Sequence, residues 1–168
     1  MPIKKVIKQN NIPLLQNILL QLRTKKIAVG LFSDEPYVLM YGTVNEYGMD
    51  INITDKMRAW LLANGLYVKS TTTAIHIPER SFIRKTFMEK GDQINSAVKI
   101  NLDQLLTMKI DINTFFNRTG DFLVQIVQQT IENTFAPPNH PFTVQMKGSN
   151  HPLIDSGKLF DSITYKIV

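Results

Sequence analysis

From Phe82 to Phe135 the apolar residues step mostly by three or four, a spacing that lays them along one side of a helix. Ile83, Phe87, Ile94, Val98, Leu102 and Leu105 form a first stripe, and Phe116, Leu123, Val127, Ile131 and Phe135 form a second. Asn113 is placed to cap the second helix, Pro137-Pro138 closes it, and Gly91 is a natural place for a bend in the first. Two long helices, each with one apolar side, must bury those sides against other elements.

The flanking segments supply candidates. Leu14, Leu15, Ile18, Leu19 and Leu22 follow Pro13 at helical spacing and predict a helix over about residues 12 to 23. Ile27 to Phe32 and Tyr37 to Asn45 are β-branched and aromatic runs separated by Ser33-Asp34-Glu35-Pro36, which predicts a hairpin. Thr54 or Asp55 can cap a short helix that carries Trp60 and stops at Asn64-Gly65. Leu66 to Val68 and Thr72 to Ile77 predict a second strand pair that Pro78 ends. The proline-rich stretch 136–154 is too irregular for a regular element, and loops of that length are commonly functional. Ser156 to Ser162 fits one helical turn, after which Ile163, Tyr165 and Ile167 alternate as a terminal strand.

These elements predict an α+β fold in a single domain, residues 1–168: an N-terminal helix in 1–25, a hairpin, short helix and strands in 27–80, two long helices in 82–135, the Pro-rich loop 136–154, and a closing turn and strand in 155–168. The expected sheet is antiparallel, with about four strands packed on the two long helices, and the C-terminal strand completes it.

Catalytic chemistry has few candidates. With no cysteine there is no disulfide, thiolate nucleophile or sulfur-ligated metal. His76, His140 and His151 lack the spacing that presents two ligands together, and no glycine-rich phosphate loop occurs. Asp155-Ser156-Gly157 lacks the first glycine of a nucleophile elbow and fits a turn and cap. The expectation is a protein without enzymatic activity, cofactor or metal. No apolar run reaches the length of a membrane span, and the first residues lack a secretory apolar core, so a soluble, cytoplasmically made protein is expected.

Charge offers an alternative. Lys4, Lys5, Lys8, Arg23, Lys25 and Lys26 precede the first acidic residue, Asp34, within a net charge of +5. A small basic nucleic-acid-binding protein would use such a cluster. The lysines are spread out and lack interleaved aromatics, which fits a solvated helix face better. Tyr37, Tyr41 and Tyr47 share odd positions and would face one side of the hairpin, where core packing or an interface would use them.

Three segments together resemble one family. Tyr41-Gly42-Thr43-Val44-Asn45-Glu46-Tyr47-Gly48 is similar to a strand closing in Glu, an aromatic and Gly; Ile77-Pro78-Glu79-Arg80-Ser81-Phe82-Ile83-Arg84 resembles an Ile-Pro-x-Arg-Pro-Phe entry into a long helix. Lys147 to Tyr165 contains Pro152-Leu153, Ser156-Gly157, Leu159, Ser162-Ile163 and Tyr165, and looks like a Pro-Leu-x-x-[Ser/Thr]-Gly-x-Leu-x-x-Ser-Ile-x-Tyr signature. The family is the tail-completion or head-to-tail joining proteins of tailed phages, also called virion morphogenesis or minor tail proteins. Ser81 stands where proline is usual, and Glu79 where a small residue is common. The resemblance implies a structural virion protein of the neck or tail, assembled in the host cytoplasm as a cyclic homo-oligomer, a hexamer in the family pattern. Its partners would be connector, neck and tail-tube or tail-terminator proteins, with DNA passing through the ring without specific binding. Candidate contact residues are Tyr37, Tyr41 and Tyr47, then Arg80 and Arg84 of the second motif, and Pro138, Phe142, Met146, Lys147 and Leu153 of the Pro-rich loop.

Overall fold

The computed structural model describes residues 10–168, so Lys4, Lys5 and Lys8 of the basic opening stretch lie outside the described residues. The elements are α1 (Ile12–Thr24), β1 (Ile27–Leu31), α2 (Pro36–Tyr47), β2 (Met49–Asn52), α3 (Asp55–Ala63), β3 (Ala74–Ile77), α4 (Ile83–Glu89), α5 (Gly91–Leu106), α6 (Ile112–Glu132), α7 (Pro141–Lys147), α8 (Lys158–Asp161) and β4 (Ile163–Ile167). The class is α+β, with two small antiparallel sheets in place of the expected sheet of about four strands.

Helix α6 is the centre, touching β1, β4, α4 and α5. Its apolar side, with Val127 and Ile131, meets Phe82, Leu153, Leu159 and Ile163 in one buried cluster. Burying each side chain of this kind contributes about 1.5–3 kcal/mol. Near the other end of α6, Phe115 and Phe116 pack with Ile18 of α1 and Leu105 of α5. The close fit of α6 to β4 depends on Gly120, where an added Cβ would lie 2.4 Å from the Tyr165 ring.

The terminal strand forms as expected and pairs with β1, Ile27 opposite Ile167 and Leu31 opposite Ile163. The Lys26 and Val168 backbones extend this ladder by exchanging N–H bonds at 2.6 and 2.9 Å. The expected partner of β1, residues 37–45, is instead helix α2. Pro36 starts that helix, and the buried residues Val38, Gly42, Asn45 and Glu46 recur at helical spacing. An apolar side that packs on α8 and Leu31 outweighs the strand preference of the valines and tyrosines. The tyrosines therefore do not share a sheet face: Tyr37 and Tyr41 lie one helical turn apart, and Tyr47 ends the helix.

The second strand pair joins β3 to β2, Met49 opposite Ile77 and Asn52 opposite Ala74. Leu66 to Val68 is no strand. The Arg58 guanidinium gathers the carbonyls of Val68, Lys69 and Thr72, which folds this stretch back onto α3. Thr54 caps α3 as expected, its hydroxyl accepting Met57 N–H at 3.2 Å.

The first long helix is interrupted at Lys90, where the backbone leaves helical geometry before Gly91 opens α5. The cap of α6 is Asp111, not Asn113. The Pro-rich loop also contains a helix, α7. Pro141 occupies its first turn, His140 Nδ1 accepts Phe142 N–H at 3.2 Å, and Gly148 stops it with a φ of 72°. That combination of proline at the start and glycine at the end is a local helix signal inside a segment expected to be irregular.

Candidate functional site

The segments that carry the three motifs meet at one joint. Helix α4 begins with Phe82 at its cap position, a residue with no side-chain acceptor for the free amides of the first turn. The acceptor comes from α2: the buried Glu46 carboxylate takes N–H bonds from Phe82 at 2.8 Å, Ile83 at 3.0 Å and Arg84 at 2.9 Å. A carboxylate at a helix N-terminus is also favoured by the helix dipole. Arg84 turns back to the same carboxylate at 3.2 Å, meets the Glu46 carbonyl, and pairs with Glu79 at 2.9 Å. Its guanidinium lies 4.6 Å from the Tyr47 ring centroid. Gly48 completes the joint because a Cβ there would press at 3.1 Å on the Glu79 nitrogen and the Ile77 carbonyl.

Arg80 ties in the chain that leaves α6. Only 7% exposed, it donates from Nε to the Pro137 carbonyl at 2.6 Å, from Nη2 to the Pro138 carbonyl at 3.1 Å, and from Nη1 to Asn45 Oδ1 at 3.3 Å. The third motif joins through Tyr41, whose hydroxyl donates to the Pro152 carbonyl at 3.0 Å, while the next residue, Leu153, is buried in the main cluster.

Beside this joint lies an open cleft of about 730 Å³ between β3, the end of α2 and α7. Tyr41, Arg80, Pro138, Met146 and Lys147 all line it, so five of the ten residues expected from sequence come together here. Tyr37 is 80% exposed on a separate, smaller hollow next to the Glu35–Lys158 ion pair. Phe142 turns to the other side of α7 and packs edge-on against Trp60, with ring centroids 6.3 Å apart. Tyr47 and Arg84 belong to the capping joint, and Leu153 is buried in the main cluster beneath the smaller hollow that it helps to line. The cleft residues His76, His140 and Thr143 were not among the sequence candidates. Only the helix signal of Pro141 and Gly148 could have placed the last two.

Comparison of the chain with protein-family models, curated proteins and solved structures finds no match. The chemistry of the cleft therefore rests on its own residues.

Those residues carry more positive than negative charge. Burial holds the Arg80 guanidinium below its ordinary pKa, an effect that Tyr41 opposes. Burial also lowers the Lys147 ammonium; Asp155 acts in the opposite direction and Arg80 adds to the lowering. The Tyr41 phenol is raised, first by burial and then by Asp155. Neither Arg80 nor Lys147 forms an ion pair with a carboxylate among the described residues. Lys147 instead donates to the His151 carbonyl at 2.5 Å. The histidines are engaged separately: His76 with Asp50 at 2.7 Å, His140 as the cap of α7, and His151 between the Glu132 carbonyl and the Ile154 N–H. Because Ile154 donates to His151 Nδ1, the neutral ring carries its proton on Nε2, facing Glu132. The cleft thus offers hydrogen-bond donors, partly buried cations and apolar walls, an inventory suited to binding.

Proposed function

We propose that this chain is a non-enzymatic structural protein of a tailed-phage particle, completing the tail or joining head to tail at the neck as a homo-oligomeric ring. One observation supports this most. The three motifs that carry the family resemblance are parts of a single device, in which Glu46 of the first caps the helix opened by the second, and Pro152 of the third anchors Tyr41 of the first.

Ring formation would draw on head-to-tail contacts between copies, such as an edge of the β1–β4 sheet, since a strand edge is a ready site for another chain. Connector and tail proteins would bind above and below, and DNA would pass through without specific contacts. The test is deletion of the gene from the phage genome that encodes it. Lysates should then contain unjoined heads and tails under the electron microscope, restored by the protein in trans. Joined, infective particles in its absence would sink the proposal. Titration with duplex DNA at two salt concentrations checks the charge-based alternative, which requires steeply salt-dependent affinity.

A further inference from the structure

The cleft beside β3 is bounded by a strand edge with free backbone groups. Ile53 N–H bonds to the directly opposite Thr73 carbonyl at 2.8 Å. In an antiparallel pair the hydrogen-bonded positions alternate, so Ile51 with Ile75 and Met49 with Ile77 are also the bonded pairs. The N–H and C=O groups of Ala74 and His76 must then point away from β2, and no hydrogen bond to them is found among the described residues. Ile75, His76 and Ile77, whose side chains alternate in direction, all border the cleft, as expected where a strand meets a cavity along its edge.

Thr143, Met146 and Lys147 of α7 and Arg80 line the same cleft. Arg80 uses three of its five N–H groups on the Pro137, Pro138 and Asn45 oxygens, leaving two. Lys147 uses one of three on His151. Two cations face the single carboxylate Asp155 within this space. An added strand that brings a carboxylate would satisfy both the free edge and the excess positive charge.

We propose that this cleft binds an extended, carboxylate-bearing segment of a different polypeptide, which pairs with the Ala74–Ile77 edge as a third strand and sets its carboxylate against Arg80 and Lys147. A second copy of this chain is a poor source of that segment. Its C-terminal strand is already bound to β1 and Lys26. Of its carboxylates outside the helices, Asp50 is paired with His76, Glu79 with Arg84 and Glu35 with Lys158, and Asp111 caps α6. Asp34 sits in the bend before α2, and Asp155 lies in the cleft itself. The site requires only a polypeptide partner, so it stands or falls separately from a role in phage assembly.

The probe is a display library of short random peptides with free C-termini, selected against the purified protein. Selected peptides should carry an acidic residue or use the terminal carboxylate, and should protect the Ala74 and His76 amides from hydrogen exchange. Lys147→Glu should weaken them by about tenfold or more. His76→Pro removes an outward-facing N–H that plays no part in the β2–β3 ladder and should weaken them comparably, with an unchanged circular dichroism spectrum. Should that variant misfold, methylation of successive peptide amides tests the same strand pairing on the unaltered protein. Three results would overturn the proposal: no peptides enriched over the Lys147→Glu protein, binding indifferent to every one of these changes, or a native mass that drops on His76→Pro, which would assign the edge to a second copy.

Discussion

The carboxylate of Glu46 accepts the backbone N–H of Phe82 at 2.8 Å, although the two residues are 36 positions apart. Helix α4 is thus capped by another helix, and the entry of the chain into the α4–α6 layer depends on where α2 sits. Removing the acceptor with Glu46→Ala leaves three amides and part of Arg84 without a partner, and should cost roughly 2–4 kcal/mol in urea denaturation. Glu46→Gln keeps one acceptor oxygen and should cost about half as much. Unchanged stability of Glu46→Gln, with the loss confined to Glu46→Ala, would show that the side chain acts there by filling space.

Gly120 and Tyr165 make a second long-range fit, between α6 and the terminal strand. Gly120→Ala drives a methyl group into the tyrosine ring and should lower stability by roughly 1–3 kcal/mol, read as a fall in Tm. Trimming the ring with Tyr165→Leu in the same protein should recover about 1 kcal/mol of that loss. Strict additivity of the two changes would mean that the strain lies elsewhere.

Asp111 provides a pH-dependent element. Its carboxylate accepts the Thr114 N–H at 2.9 Å and the Thr114 hydroxyl at 2.8 Å, and the backbone bond is the larger cause holding its pKa below the ordinary 3.8. A group depressed in the folded state contributes stability that is fully present above its unfolded value and is lost as pH falls through the folded one. Denaturation midpoints should therefore decline below about pH 4 by this route. Asp111→Asn retains a cap without the titration and should flatten that part of the acid limb. An unchanged acid limb in the variant would remove Asp111 as a source.

Much of the secondary structure was legible from residues within one turn of each other. The stripe from Leu14 to Leu22 marked α1, the Thr54 cap and Asn64-Gly65 stop marked α3, and the alternation at Ile163, Tyr165 and Ile167 marked β4. Such signals need no partner, because helical or strand period and end-capping are local properties. Helix α7 was equally local in its Pro141 and Gly148, but was hidden within a proline-rich stretch.

Partnership was decided by the tertiary structure. Val38 and Val44 suit a strand, yet residues 36–47 are helical because Val38, Gly42, Asn45 and Glu46 must share one side toward α8 and the start of α4. With α2 helical, β1 takes its partner from the far end of the chain, and the expected sheet becomes two. The candidate site divides in the same way. Arg80 and Lys147 could be named from the motifs, but only packing buries the first beneath the Pro137 and Pro138 carbonyls, brings the second into one cleft with a free strand edge, and withdraws Leu153 into the core. Period and capping are written into neighbouring residues, whereas burial and pairing depend on which distant surfaces exclude water together.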